Sequence, residues 1–301
     1  MVTTDASIPV TYGTATAIGG KPPVTVTCRP ESGSPFKVGQ TTVICTATDA
    51  VGQADSCSFA VTVLPPPRLV ATTFVGFGDS ITAGESGLGV LSGTAALEPF
   101  SRFRPTVLLP ASQWYTTVLQ QSLAARYRTQ TPTVANAGKT GEAVLDPDTF
   151  PRFASVLSAG YQVVLLMEGT NDLYARDARL VQPTVEGLRR MVLYARGQGR
   201  QVFIATIPPI DPSGFRGATY GWSLVPDLNA GIRSMAASTN VPLVDVYAGF
   251  TNNLLGPDGL HPNADGYARI AELFFAAIKQ NLEVSQSLPA SLAGAPLVRR
   301  R

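Results

Sequence analysis

The stretch Thr73-Phe74-Val75-Gly76-Phe77-Gly78-Asp79-Ser80-Ile81-Thr82 decides how this chain is read. Thr73 to Phe77 is a short run of β-branched and aromatic residues, the pattern of a buried strand. Gly76 and Gly78 permit a tight exit from it, and the polar pair Asp79-Ser80 can begin a helix. In an open parallel sheet the carboxyl ends of the strands face the ligand crevice, so this order puts Ser80 where a substrate reaches it. A serine at such a turn is, by itself, an ordinary helix cap. Its meaning depends on what the other strand ends carry.

Downstream, short apolar strands alternate with longer helical stretches. Ser112 is read as the cap of a helix in which Tyr115, Leu119, Leu123 and Tyr127 share a face. Thr133-Val134-Ala135 is a second strand, and Val163-Val164-Leu165-Leu166-Met167, apolar throughout, is a central strand covered on both sides. A helix from about Pro183 to Ala195 turns Val185, Leu188, Val192 and Ala195 inward and meets Gly197 as a stop. Val202 to Ala205 and Leu243 to Val246 are later strands. The last helix begins near Asn263 and buries Tyr267, Ile270, Phe274 and Ile278. This alternation predicts a parallel, three-layer α/β sandwich.

Small polar residues and glycines follow three of these strands. Asn136-Ala137-Gly138-Lys139-Thr140-Gly141 follows the second, and the unshielded N–H of Gly141 is a candidate oxyanion donor. A phosphate loop is the competing reading of Gly138-Lys139-Thr140, but the upstream glycine of that motif is missing. Gly169-Thr170-Asn171-Asp172 follows the third, where the Asn171 amide can donate into the crevice that holds Ser80. His261 is the single histidine of the chain and lies in Pro257-Asp258-Gly259-Leu260-His261-Pro262. A tight turn through Gly259 brings the Asp258 carboxylate to one ring nitrogen and leaves the other for Ser80. That is the arrangement by which a base activates a hydroxyl nucleophile.

These four blocks, Gly78-Asp79-Ser80, Asn136 to Gly141, Gly169 to Asp172 and Asp258 to His261, resemble those of the SGNH/GDSL hydrolases, in the same order, over residues 72 to about 283. The resemblance implies a flavodoxin-like sheet order and a carboxylic ester hydrolase working through an acyl-enzyme. It also implies a Ser80, His261, Asp258 triad and an oxyanion hole made by the Ser80 and Gly141 amides and the Asn171 side chain. It leaves open whether the substrate is a lipid, an acetylated carbohydrate or a small ester. Long-segment residues between Ile81 and Ser112, among them Gly84, Gly87, Leu91, Leu97, Phe100, Phe103 and Leu109, are candidates for an acyl or leaving-group pocket. Tyr220, Trp222 and Leu224 are candidates for the opposite rim.

Residues 1–64 read differently. Val24 to Cys28, Thr42 to Thr46 and Phe59 to Val63 alternate with period two and are rich in Thr and Val, so they are strands of a small β-sandwich. Pro65-Pro66-Pro67 then opens a linker over 65–71 that interrupts both ladders and helices. The hydrolase region follows over 72–283, and 284–301 is a tail ending in three arginines. Val26-Thr27-Cys28, Ser32-Gly33-Ser34, Val38-Gly39, Cys45-Thr46-Ala47-Thr48-Asp49 and Cys57-Ser58-Phe59 make the first region similar to the hyalin repeat (HYR) module, an immunoglobulin-like fold, here lacking its opening strand. That resemblance implies a Cys28–Cys45 disulfide with Cys57 free. A Cys45–Cys57 bond across a hairpin satisfies the same sequence.

All three cysteines fall in this module, which points to an oxidising compartment, and the HYR resemblance implies an extracellular or cell-surface protein whose module contacts a surface or matrix. Met1-Val2-Thr3-Thr4-Asp5 is no secretory leader, so such a location requires sequence upstream. With 45% apolar and 15% charged residues and a net charge of +2, the chain is neither disordered throughout nor suited to nucleic acid. Nothing in it reads as a cofactor motif, a metal centre or a membrane span. Besides ester hydrolysis, two further readings stand: a deacetylase of acetylated polysaccharide, and a catalytically degenerate surface or matrix-binding protein.

Overall fold

The computed structural model describes residues 7–89 and 106–284. The chain divides into two compact units, one running to Pro67 and the other spanning Arg68–Glu283.

The first unit contains β1 (Ser7–Pro9), β2 (Thr25–Arg29), β3 (Pro35–Lys37), β4 (Gly39–Thr48) and β5 (Ala54–Val63). Strands β2, β4 and β5 form one antiparallel sheet with β4 in the middle, and β1 pairs with β3 in another. Phe36, Val43, Cys45 and Val63 are its buried cluster. Cys28 and Cys45 face each other across β2 and β4 and are bonded, while Cys57, opposite Cys45 on β5, is free and exposed.

The second unit is built on β6 (Thr73–Gly78), β9 (Thr133–Gly138), β10 (Val163–Met167), β11 (Gln201–Ala205) and β12 (Leu243–Val244), all parallel, in the order β12-β11-β10-β6-β9. Counted by appearance within the sheet, this is the 2-1-3-4-5 order of flavodoxin-like folds. The layers follow from alternation along the central strand. Val163, Leu165 and Met167 join Phe74, Phe203 and Val244 on one face, under Tyr115, Leu119 and Leu123 of α2 (Tyr115–Arg126) and Tyr267, Ile270, Phe274 and Ile278 of α6 (Ala264–Leu282). Val164 and Leu166 join Val75, Phe77 and Ile204 on the other face. There they meet α3 (Thr149–Leu157), α4 (Val181–Gly197) and α5 (Val225–Thr239). Leu69 and Ala71, just after the prolines, are buried in the first of these clusters.

Two local expectations are corrected. Ser112 does not cap α2. It lies inside a 3-10 turn, Ala111–Gln113, and α2 starts from Trp114, whose indole N–H donates to the Leu109 carbonyl. The fifth strand is also shorter than read: it ends at Val244, where the Val246 N–H turns back to the Val244 carbonyl at 2.9 Å and the Asp245 carboxylate is taken by Thr206 and Arg233. A hairpin of β7 (Glu85–Gly89) with β8 (Thr106–Leu108) follows the short helix α1 (Ser80–Ala83). Residues 90–105, including Leu91, Leu97, Phe100 and Phe103 of the expected pocket, lie outside the described residues, as do the terminal arginines.

Candidate active site

Ser80 stands at the first position of α1, directly beyond β6. Asp79 caps that helix, accepting a hydrogen bond from the Ile81 N–H at 2.9 Å, so the N–H of Ser80 is among the first-turn donors that a helix leaves unpaired. The turn works only without side chains. A Cβ at Gly78 would sit 2.0 Å from the Met167 carbonyl, and one at Gly138 would sit 2.1 Å from the Ala83 nitrogen. Close backbone approach, rather than unusual torsion, is therefore what these two glycines supply.

The histidine arrives from the far edge of the sheet. After β12 the chain crosses to the centre and folds into a narrow loop in which the Gly256 N–H donates to the His261 carbonyl at 2.7 Å and Gly259 takes a φ of +73°. The Arg216 and Gly217 N–H groups hold the Asp258 carbonyl at 3.0 and 2.9 Å, and the Asp211 N–H holds that of Gly259 at 2.8 Å. The resulting side-chain line is continuous: Ser80 Oγ lies 2.9 Å from His261 Nε2, and His261 Nδ1 lies 2.6 Å from Asp258 Oδ2. Ser80, His261 and Asp258 are 6%, 1% and 0% exposed. Burial pushes the Asp258 carboxyl up, but the hydrogen bond and charge of His261 and the amides of Leu260 and His261 outweigh it and hold the group below its ordinary range. An ionised Asp258 favours the tautomer with the proton on Nδ1, in which Nε2 can accept from the serine.

Asn171 and Gly141 come from the strands on either side of β6. The Asn171 amide donates to the Glu142 carbonyl at 2.7 Å, while its oxygen accepts from the Tyr220 hydroxyl at 2.8 Å. These contacts define which atom is the nitrogen and use one of its two hydrogens. Gly141 takes a φ of +71° at the neighbouring turn. That turn is secured twice. Asp172 accepts from the Val144 and Leu145 N–H groups at 2.9 and 3.1 Å. The Glu142 carboxylate meets Arg152 and lies 3.2 Å from Lys139 Nζ, so this lysine is used within its own loop.

Three contributors were not singled out in the sequence, and a fourth has another place than the one read for it. Tyr220, read as a rim residue, is buried and orients Asn171. Arg216 Nε approaches Asp258 Oδ2 at 3.6 Å. Glu85 Oε2 approaches His261 Nε2 at 3.3 Å. Behind the nucleophile turn, Glu168 is fully buried, and burial followed by the charges of Asp79, Glu142 and Asp172 pushes its carboxyl well above its ordinary value. Burial likewise raises Asp79 to about 6. Of the other rim candidates, Trp222 is exposed and Leu224 packs against the second core cluster.

A flavodoxin-like sheet with a buried hydroxyl–imidazole–carboxylate line across its carboxyl end has the architecture of a serine hydrolase. Residues 77–269 match the model of the GDSL-like Lipase/Acylhydrolase family, and the chain belongs to that family. Residues 3–63 match the HYR domain. No curated protein matches the chain. Among solved structures, a lipase/acylhydrolase from Enterococcus faecalis is 24% identical with a TM-score of 0.53, over 71% of this chain and 98% of that one. A carbohydrate acetylesterase from Sinorhizobium meliloti is 20% identical with a TM-score of 0.55, over 69% and 97%. An acetylxylan esterase from Geobacillus stearothermophilus is 21% identical with a TM-score of 0.50, over 69% and 94%. Such identities establish a shared fold. The family and the assembled line make the protein a serine hydrolase that cleaves carboxylic esters through an acyl-enzyme.

Proposed function

We propose that Ser80 Oγ attacks the ester carbonyl while His261 Nε2 takes its proton and Asp258 stabilises the imidazolium that forms. Negative charge then gathers on the carbonyl oxygen, facing the N–H groups of Ser80 and Gly141 and the second hydrogen of the Asn171 amide. One such donor contributes roughly 2.7–4 kcal/mol to the transition state. His261 returns the proton to the leaving alcohol, and water repeats the sequence to free the acid. The observation that carries this reading is the buried Ser80–His261–Asp258 line, with contacts of 2.9 and 2.6 Å. In the test, a fluorophosphonate probe labels the wild type at Ser80, and Ser80→Ala and His261→Ala each lower phenyl acetate turnover by at least about 10⁴-fold without unfolding the protein. Undiminished turnover in either folded variant would refute the assignment.

The reading extends to setting and substrate. The Cys28–Cys45 disulfide supports a protein that works outside the reducing cytoplasm, with the HYR module as its contact to a surface or matrix. Deacetylation of a carbohydrate is the second substrate reading, since two of the similar folds belong to carbohydrate-ester hydrolases.

A further inference from the structure

Glu85 is a charged group in this site that the serine–histidine–aspartate chemistry leaves without a task. Its place is set by its backbone. Gly84 closes α1 at a φ of +90°, where a Cβ would lie 2.2 Å from the Trp114 ring. The next residue then pairs with Leu108 in the β7–β8 hairpin, and the Tyr267 hydroxyl donates to the Glu85 carbonyl at 2.7 Å. Held on two sides, the residue aims its carboxylate at the reacting nitrogen, with Oε2 3.3 Å from His261 Nε2. The side chain is 1% exposed, and among the described residues Oε1 has no hydrogen-bond partner.

Nε2 therefore has two oxygens within reach and carries at most one proton. With Nδ1–H turned to Asp258 it presents a lone pair, which accepts from the Ser80 hydroxyl and offers Glu85 nothing. A buried carboxylate without a donor is costly, and the cost is removed only by a group that brings a hydrogen. The reaction brings the leaving group to this spot. For His261 to protonate the leaving oxygen, that oxygen must come within about 3 Å of Nε2, so it borders Oε2. An alkyl chain there would leave the carboxylate dry and unpaired, whereas a second hydroxyl beside the ester oxygen would donate to it.

We propose that Glu85 is a specificity-determining residue that accepts a hydrogen bond from a hydroxyl of the leaving alcohol, so that the enzyme prefers esters of diols and sugars to esters of simple alcohols. This rests on the Ser80–His261 reading above and names the leaving group for it. The test uses two esters of equal size, 2-hydroxyethyl acetate and propyl acetate. The wild type should favour the first in kcat/KM by roughly 10- to 100-fold, the discrimination set by a donor to a charged buried acceptor. Glu85→Ala should bring the ratio to within about threefold of unity, and Glu85→Gln, whose amide oxygen still accepts, to a value between that and the wild type. A ratio retained in both folded variants, or a wild type that cleaves the two esters equally, overturns the proposal. So does failure to cleave either ester by protein that still labels at Ser80. If neither variant folds, the wild-type ratio decides alone. Activity surviving in Ser80→Ala would instead overturn the reading beneath it, so the two failures are told apart.

Discussion

In the HYR module, Phe36, Val43, Cys45 and Val63 are the buried apolar cluster among the described residues, and nearly all of β5 is exposed. In the hydrolase unit, two extensive clusters cover both faces of the sheet and leave Phe74, Val75, Phe77 and Val163 to Leu166 fully buried. The module reinforces a thin core with a covalent bond. The hydrolase unit has apolar contact enough to bury Asp79, Glu168, Asp258 and His261; burial pushes the first two carboxyls up, and the last two form the line to Ser80. A large core is thus what permits charged groups to be held dry and aimed.

The largest effect that would sharpen this contrast is expected at Asn171. Asn171→Ala should lower kcat by about 10²–10³ with little change in KM, because its donor matters as charge develops; steady-state kinetics on phenyl acetate measures it. Next comes the module. Replacing Cys28 and Cys45 by Ala should lower its unfolding free energy by about 3 kcal/mol, the loop-closure value for a cross-link spanning 17 residues. Denaturant titration reads that loss, and a matching fall in kcat would break the contrast. Tyr220→Phe removes the donor to Asn171 Oδ1 and should lower kcat about 3- to 10-fold, the worth of one hydrogen bond.

The smallest expected effect concerns pH. The raised carboxyls of Glu168 and Asp79 favour folding while they are protonated. Their contribution is full below the unfolded values of 4.5 and 3.8 and is lost as pH rises through the folded ones, about 6 for Asp79. Glu168→Gln should therefore raise the thermal midpoint at about pH 8, by roughly 2–4 °C if it recovers about 1 kcal/mol, and should do less near pH 5. Melting curves at the two pH values test the sign.

The strands and the residues of the proposed Ser80–His261–Asp258 line were legible because each announces itself locally, and the sheet order through the resemblance to the SGNH/GDSL hydrolases. An apolar run ends in a small polar block, and the single histidine sits three residues after an aspartate. The disulfide was legible through the module's resemblance. What escaped depends on distant segments meeting. Glu85 and Tyr220 carry no motif and become site residues only because the β7–β8 hairpin and the loop after β11 fold over the crevice. Helices α3 and α5 are hard to read from the sequence for a local reason. Pro151 and Pro226 break a helical reading, yet both stand in first turns, where the missing N–H costs nothing.

That the chain has one histidine carries a practical consequence. Every imidazole resonance in its NMR spectrum comes from the ring between Ser80 and Asp258, with no assignment needed. The Nδ1 proton, held to Asp258 across 2.6 Å, should give a single far-downfield line that reports ligand entry and acylation directly.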